Sequence, residues 1–360
     1  MRWPSIDKMG TVVKGSNTIQ LIGAIGSPYT RKMLSLLRYR RIPHKITWGQ
    51  PELVIPTLGL ELPKPVLLPT FILPDEDGEL EVATDSTPLI RRLEAISPDR
   101  SVLPADPALA FIDYLLEDFA DEWVTKYMFH YRWHFQADIG NAATLLPLHF
   151  RVNLPFEQHE QMKETIPERQ ISRLYVVGSN DVTAPVIDAS YRRFLQAMEA
   201  HLQAQPYMLG NRPGAADFAM FGQLTQLVGF DPTPRAIAHQ LSPRTVAWTS
   251  LMEDLGGLEL GADDWNSSDQ MPATLRGILT EVGKMYVPTL LANSRAFQSG
   301  EKSWEVEIDG SRWTQPTFPY QAKCLKWIKE EYRALETQDR ARVDRILAGT
   351  GCQALFLESA

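Results

Sequence analysis

Cysteine is nearly absent from this chain: Cys324 and Cys352 are the two in 360 residues, with no Cys-x-x-Cys pair and no zinc-type spacing. A disulfide framework and a thiolate metal cluster are therefore not expected, and the chain suits a reducing compartment. No window approaches the ~20 apolar residues of a membrane span. The opening MRWPSIDKMGTVVKGSN has no apolar core of signal-peptide length. The expectation is a soluble, cytoplasmic protein without a membrane partner. An excess of positive charge is missing too. With 44 acidic against 36 basic residues the net charge is -8, which works against nucleic acid as a partner. Internal repeats and low-complexity tracts are also absent.

What is present is ordinary globular composition, 44% hydrophobic and 22% charged, in a chain long enough for two domains with material to spare. The apolar run TIQLIGA, a Gly-Ser-Pro turn, the periodic YTRKMLSLLRYRRI and the alternating HKITWG read as strand, loop, helix and strand. A Pro- and Leu-rich connection follows. PTFILPDEDGELEVATDSTPLIRRLEAI then gives a hairpin on an Asp-Gly turn and a closing helix. The order is β-α-β, then β-β-α. Past the Pro- and Asp-dense SPDRSVLPADPA, helical periodicity dominates, with the longest amphipathic stretch from Leu109 to Phe135. WEVEIDGSRW reads as a late hairpin before two last helices.

The expected division is an amino-terminal extension over 1–17, a mixed α/β domain over 18–97 and a linker over 98–104. An all-α domain over 105–300 and a carboxy-terminal extension over 301–360 complete it.

Four short motifs carry the candidate residues. In IGSPYTRK, Ser27 opens a helix, a place where Ser and Pro are common without any chemistry. In LLPTFIL, Pro69 begins a strand, as edge prolines do. In TDSTP, Asp85, Ser86 and Thr87 precede Pro88 and an apolar helix, a capping pattern that can also bind an anion. In GAADFAMF, Asp217 fits a capping box whose first position is Gly214. In these positions and this order, the motifs resemble a glutathione transferase over roughly residues 18 to 255. The Ser-Pro-Tyr loop is similar to serine-type, tau-like members, whereas omega-like members carry cysteine. IGSPYTRK also looks like a glutaredoxin-type loop with serine and threonine where both sulfurs would stand.

The resemblance implies a fold of α/β plus all-α type: a thioredoxin-like amino-terminal domain and an enlarged helical domain. It implies glutathione as co-substrate, a small apolar electrophile as second substrate, and a homodimer. Ser27 would donate a hydrogen bond to the glutathione thiolate at the positive end of a helix, which lowers a thiol pKa from ~8.5. Pro69 would be cis, turning the Leu68 backbone toward the cysteinyl unit. Asp85 and Ser86 would hold the γ-glutamyl end. Tyr29 would pack inward.

The aromatic stripe through FADEWVTKYMFHYRWHF would place Trp123 and Tyr127 on the second-substrate pocket, although such stripes are more often plain core. His130 and His134, one turn apart, lack a third ligand, so no metal is expected. Cys324, flanked by apolar residues, is given no role. Many relatives put Lys or Arg just before the cis-proline, whereas Val66, Leu67 and Leu68 stand here, with Lys64, Gln50 and Trp48 as the nearest substitutes. That departure favours an alternative, a non-catalytic member of the fold that binds without transferring. The stretch from Gly140 to Asp188 and the chain beyond residue 256 exceed the resemblance.

Overall fold

The computed structural model describes residues 18–75, 77–97, 99–261 and 264–357; the extension expected over 1–17 lies outside them. Strand β1 (Ile19–Gly23) leads through a short loop into α1 (Pro28–Tyr39) and then β2 (His44–Trp48), which pairs parallel to β1. The Pro-rich connection, read as irregular, begins with one helical turn, α2 (Pro51–Val54). Strands β3 (Thr70–Pro74) and β4 (Leu80–Ala83) follow, and α3 (Ser86–Ile96) closes the unit. Sheet order is β2-β1-β3-β4, with β1–β3 and β3–β4 antiparallel. This is the small mixed sheet of a thioredoxin-like domain.

Alternation along the strands separates two apolar layers. Leu21, Phe71 and Leu73 face α1 and α3 and belong to the main core. Ile22 and Ile72 face the other way and pack with Val54 and Ile55.

The rest of the described chain is mostly helical. Helix α4 (Pro107–Phe119) does not run on to residue 135 as one helix. A five-residue π-type turn, Ala120–Val124, separates it from α5 (Thr125–His134). Such a turn adds a residue to the helical repeat and bulges the backbone. Helices α6 (Gln136–Phe150), α7 (Phe156–Ile171), α8 (Ala184–Ala204), α9 (Ala215–Leu227), α10 (Pro232–Leu241) and α11 (Pro243–Leu251) follow. Beyond them stand α12 (Leu275–Glu281) and α13 (Val287–Ser299), again joined by a π-type turn. The hairpin β5 (Ser303–Ile308) and β6 (Ser311–Pro316) precedes α14 (Pro319–Ala334) and α15 (Thr337–Leu347).

Two glycines on or beside α9 are explained by close approach. A Cβ at Gly222 would lie 2.4 Å from the Pro28 carbonyl oxygen, so the missing side chain lets α9 lie flush on α1 and joins sheet to helices. At Gly214, the amino-terminal cap of α9, a Cβ would meet Asp113 Oδ1 at 2.4 Å. That buried Asp113 oxygen accepts from the Ala216 N–H at 3.1 Å and so takes over part of the capping a hydroxyl would perform. Asp217 completes the cap by accepting from the N–H groups of Gly214 and Met208, both at 2.9 Å.

Candidate functional site

Three chain segments meet at one end of the sheet. Ile22 faces Thr70 in the β1–β3 ladder and Phe71 faces Ala83 in β3–β4. The loop leaving β1, the approach to β3 and the segment leaving β4 are therefore neighbours. In the first, Ser27 is the amino-terminal cap of α1, half-buried, with its Oγ accepting from the Thr30 N–H at 3.3 Å. Its backbone surroundings are fixed from outside. Arg132 on α5 donates to the Gly26 carbonyl at 3.1 Å, and Gln226 on α9 donates to Ile25 O at 3.1 Å. Arg132, buried, is itself held by Asp231 at 2.8 Å.

In the second segment the Leu68–Pro69 bond is cis, as the resemblance implied, and Lys64–Pro65 is cis as well. Thr70 Oγ1 donates to the Leu67 carbonyl at 2.7 Å, while among the described residues neither the Leu68 N–H nor its C=O has a partner. In the third, Asp85 takes φ +76°, a conformation rare for a residue with a side chain and common at functional sites. Ser86 opens α3, and its Oγ accepts from the ammonium of Lys32 at 3.0 Å.

Lys32, on α1, is 1% exposed and also reaches Glu117 at 2.8 Å and Asp121 at 2.6 Å. Burial alone would push this lysine down, but the two carboxylates outweigh it and hold the ammonium above its ordinary range.

Between these segments lies a cleft of about 320 Å³. Its apolar walls are Pro65, Leu67, Leu68 and Pro69, with Tyr29 and Tyr320 as aromatic sides. Asp85, Ser86, Asp121 and Glu122 supply its polar lining, and none of the lining residues is basic. The structure thus brings together Leu68, Pro69, Asp85 and Ser86. Ser27 caps its helix outside the residues that line the cleft, and neither Val66 nor the substitutes Lys64, Gln50 and Trp48 are part of the lining. Tyr29 is a wall of the cleft instead of a core residue, its hydroxyl donating to the Asp121 carbonyl at 2.7 Å.

Sequence reasoning missed Asp121, Glu122 and Tyr320. For the acids the available signal was a pair of carboxylates inside an otherwise aromatic helical face; for Tyr320 there was none. Burial pushes the Glu122 carboxyl up, with Asp118 and Asp121 adding to the shift and the Lys126 ammonium opposing it.

Residues 21–101 match the family of the glutathione S-transferase N-terminal domain, and residues 180–255 match the glutathione S-transferase C-terminal domain. The chain belongs to the glutathione S-transferase superfamily. No curated protein matches it. Among solved structures it is similar to a glutathione S-transferase from Rhodospirillum rubrum F11, at 16% identity over 69% of this chain and 96% of that one, with a TM-score of 0.41. A glutathione transferase family member from Pseudomonas fluorescens Pf-5, crystallised with two glutathione bound, is similar at 15% identity over 74% of this chain and 95% of the other, with a TM-score of 0.43.

Within this transferase fold, the expected pocket residues are placed differently. Trp123 and Tyr127 are fully buried and absent from the cleft wall. Trp123 Nε1 donates to the Tyr127 hydroxyl at 2.9 Å, which in turn bonds Ser190 Oγ on α8 at 2.6 Å. The cause is the added hairpin together with α8. Trp313 of β6 packs against Trp123 with ring centroids 5.4 Å apart, and Tyr191 and Phe194 of α8 cover Tyr127. The stripe is core. His130 is buried too, hydrogen-bonded to Ser179 at 2.7 Å, and burial with the neighbouring His134 pushes it down to about 3. Cys324 is buried, and burial pushes its thiol up.

Proposed function

We propose that this chain is a glutathione-dependent transferase: the cleft binds glutathione, and the bound thiolate attacks a small apolar electrophile. One observation carries the reading. The unpaired Leu68 backbone and the Asp85–Ser86 start of α3 line the same cleft, at the end of the sheet where α1 begins. A free N–H and C=O beside a strand suit the cysteinyl unit of an extended peptide. A helix amino end with Ser86 suits the γ-glutamyl carboxylate, and the carboxylate of Asp85 suits its ammonium.

Ser27 Oγ already accepts from Thr30 N–H, so its own O–H remains free to donate to a thiolate at the positive end of α1. The new C–S bond forms as the leaving group departs with its electrons, the thiol proton having gone to solvent. The apolar Pro65, Leu67 and Leu68 offer the electrophile a surface in the same cleft. The reading includes a cytoplasmic homodimer. Since α14 and α15 pack on α4 and Arg91 of α3 approaches Glu331 of α14 at 3.8 Å, two chains would associate through other faces.

A second reading, a binding protein without transfer, is favoured by the position of Ser27 outside the cleft lining. Ultraviolet titration of the bound thiolate separates the two. In the transferase, Ser27→Ala raises the thiol pKa by about one to two units, since a hydrogen bond to a charged group is worth roughly 1.5–3 kcal/mol, and slows turnover of an aryl halide. Equal titration and equal turnover make Ser27 only a turn residue and overturn its role; glutathione bound with no turnover of the aryl halide leaves the binding reading; no glutathione bound by the wild type rejects both.

A further inference from the structure

The polar lining of the cleft is not supplied by the sheet domain alone. Tyr320, 235 residues away from Asp85 in the chain, donates its hydroxyl to Asp85 Oδ2 at 2.9 Å and is itself a wall of the cleft. Its place is fixed. The start of α14 is clamped by the fully buried Asn293 of α13, whose Oδ1 accepts from the Phe318 N–H at 2.8 Å and whose Nδ2 donates to the Phe318 carbonyl at 2.9 Å. The next residue, Gln321, reaches Glu122 Oε2 at 3.4 Å. Also lining the cleft, Asp121 is 7% exposed, and its Oδ1 has no hydrogen-bond partner although Oδ2 is held by Lys32.

We propose that α14 completes the ligand cleft within the same chain, and that Tyr320 is a ligand-contacting residue selecting a ligand end that bears a free ammonium. The inference rests on the reading that the γ-glutamyl end docks at Asp85–Ser86. An ammonium has three N–H donors. The cleft offers the Asp85 carboxylate, the unpartnered Asp121 Oδ1 and the lone pairs of the Tyr320 oxygen, with no lining cation to repel it. Tyr320 acts in both directions at once: its O–H stays on Asp85 while its oxygen accepts from the ligand. A phenol ordinarily titrates at about 10, so the O–H is retained across the working pH range.

The test compares two ligands on three proteins by calorimetry: glutathione and its des-amino analogue, glutaryl-cysteinyl-glycine, with the wild type, Tyr320→Phe and Tyr320→Ala. Loss of one hydrogen bond weakens glutathione by about five- to tenfold in Tyr320→Phe and leaves the analogue within about twofold, because the analogue has nothing for the hydroxyl to accept. Tyr320→Ala weakens both ligands, the wall itself being removed, and glutathione more. Equal effects of Tyr320→Phe on the two ligands, or none on either, overturn the inference while leaving glutathione binding intact. A wild type that binds neither ligand overturns the glutathione reading and this inference with it.

Discussion

The two walls of the cleft are built on different principles. The wall of Leu68, Pro69, Asp85 and Ser86 comes from two neighbouring segments of one βα unit and works through backbone: an unpaired strand-like N–H and C=O, a positive φ, a helix start. The opposite wall of Asp121, Glu122 and Tyr320 comes from a π-type turn and from a helix far along the chain, and works through side chains. Backbone devices need particular residue types at particular spacings, so they leave a trace in sequence. A side-chain wall needs only that distant elements land together. The first kind ties a site to its fold; the second can be rebuilt by an added helix without altering the sheet.

The largest effect is expected where the two walls are joined. The Lys32 ammonium bridges Ser86 on one wall to Asp121 on the other, with Glu117 behind them. Lys32→Met removes the cation and strands two buried carboxylates, and removing one partner of such a cluster costs roughly 3–5 kcal/mol. Urea denaturation is expected to show a loss of that size, together with weaker glutathione binding, since Ser86 loses its orienting donor. A loss below about 1 kcal/mol would mean that the walls stand independently.

The same contrast explains what could be read from sequence. The β-α-β and β-β-α order and the Asp85–Ser86 helix start were legible because Pro, Gly, Asp and Ser act locally, whereas the cis bond at Pro69 was expected only from the family resemblance, since most X-Pro bonds are trans. The expected single helix from Leu109 to Phe135 failed at Ala120–Val124 because a π-type turn has no periodic signature of its own. Trp123 and Tyr127 have the composition of a ligand pocket and the burial of a core. Periodicity identifies a helix face but not what covers it, and Trp313 arrives from a hairpin nearly two hundred positions later. Tyr320 was invisible for the same reason.

A second way to sharpen the comparison uses pH. Behind the side-chain wall, Asp118 accepts from the Tyr286 hydroxyl at 2.5 Å, and burial pushes its carboxyl up to about 7 despite that bond, Asp121 adding to the shift. Its folded pKa thus exceeds the unfolded value of ~3.9. The folded state binds the proton more tightly, so the contribution of Asp118 to stability is fully present below about pH 4, is lost as pH rises toward 7 and levels off above. Asp118→Asn does not titrate. The stability of the variant relative to the wild type is expected to rise by up to ~1.4 kcal/mol per pH unit through that window, read as melting temperatures of both proteins from pH 4 to 8. A constant difference would show that Asp118 remains ionised and that this side of the cleft is wetter than its packing implies.

The smallest effect concerns the two aromatics that the family resemblance assigns to the second-substrate pocket. Tyr127→Phe removes one oxygen that accepts from Trp123 Nε1–H and bonds Ser190, itself a donor to Glu281 at 2.6 Å. A buried indole N–H left without a partner costs about 1–3 kcal/mol, and the retained ring keeps its packing against Tyr191 and Phe194. The expected loss therefore lies near the bottom of that range, about 1 kcal/mol. Because Tyr127 lies outside the cleft, KM for an aryl halide should be unchanged, and so should the affinity for glutathione. Stability lost with KM unmoved is the pattern of a core residue. KM altered with stability unmoved would instead return Tyr127 to the pocket and require the hairpin to move away from Trp123 when the second substrate binds.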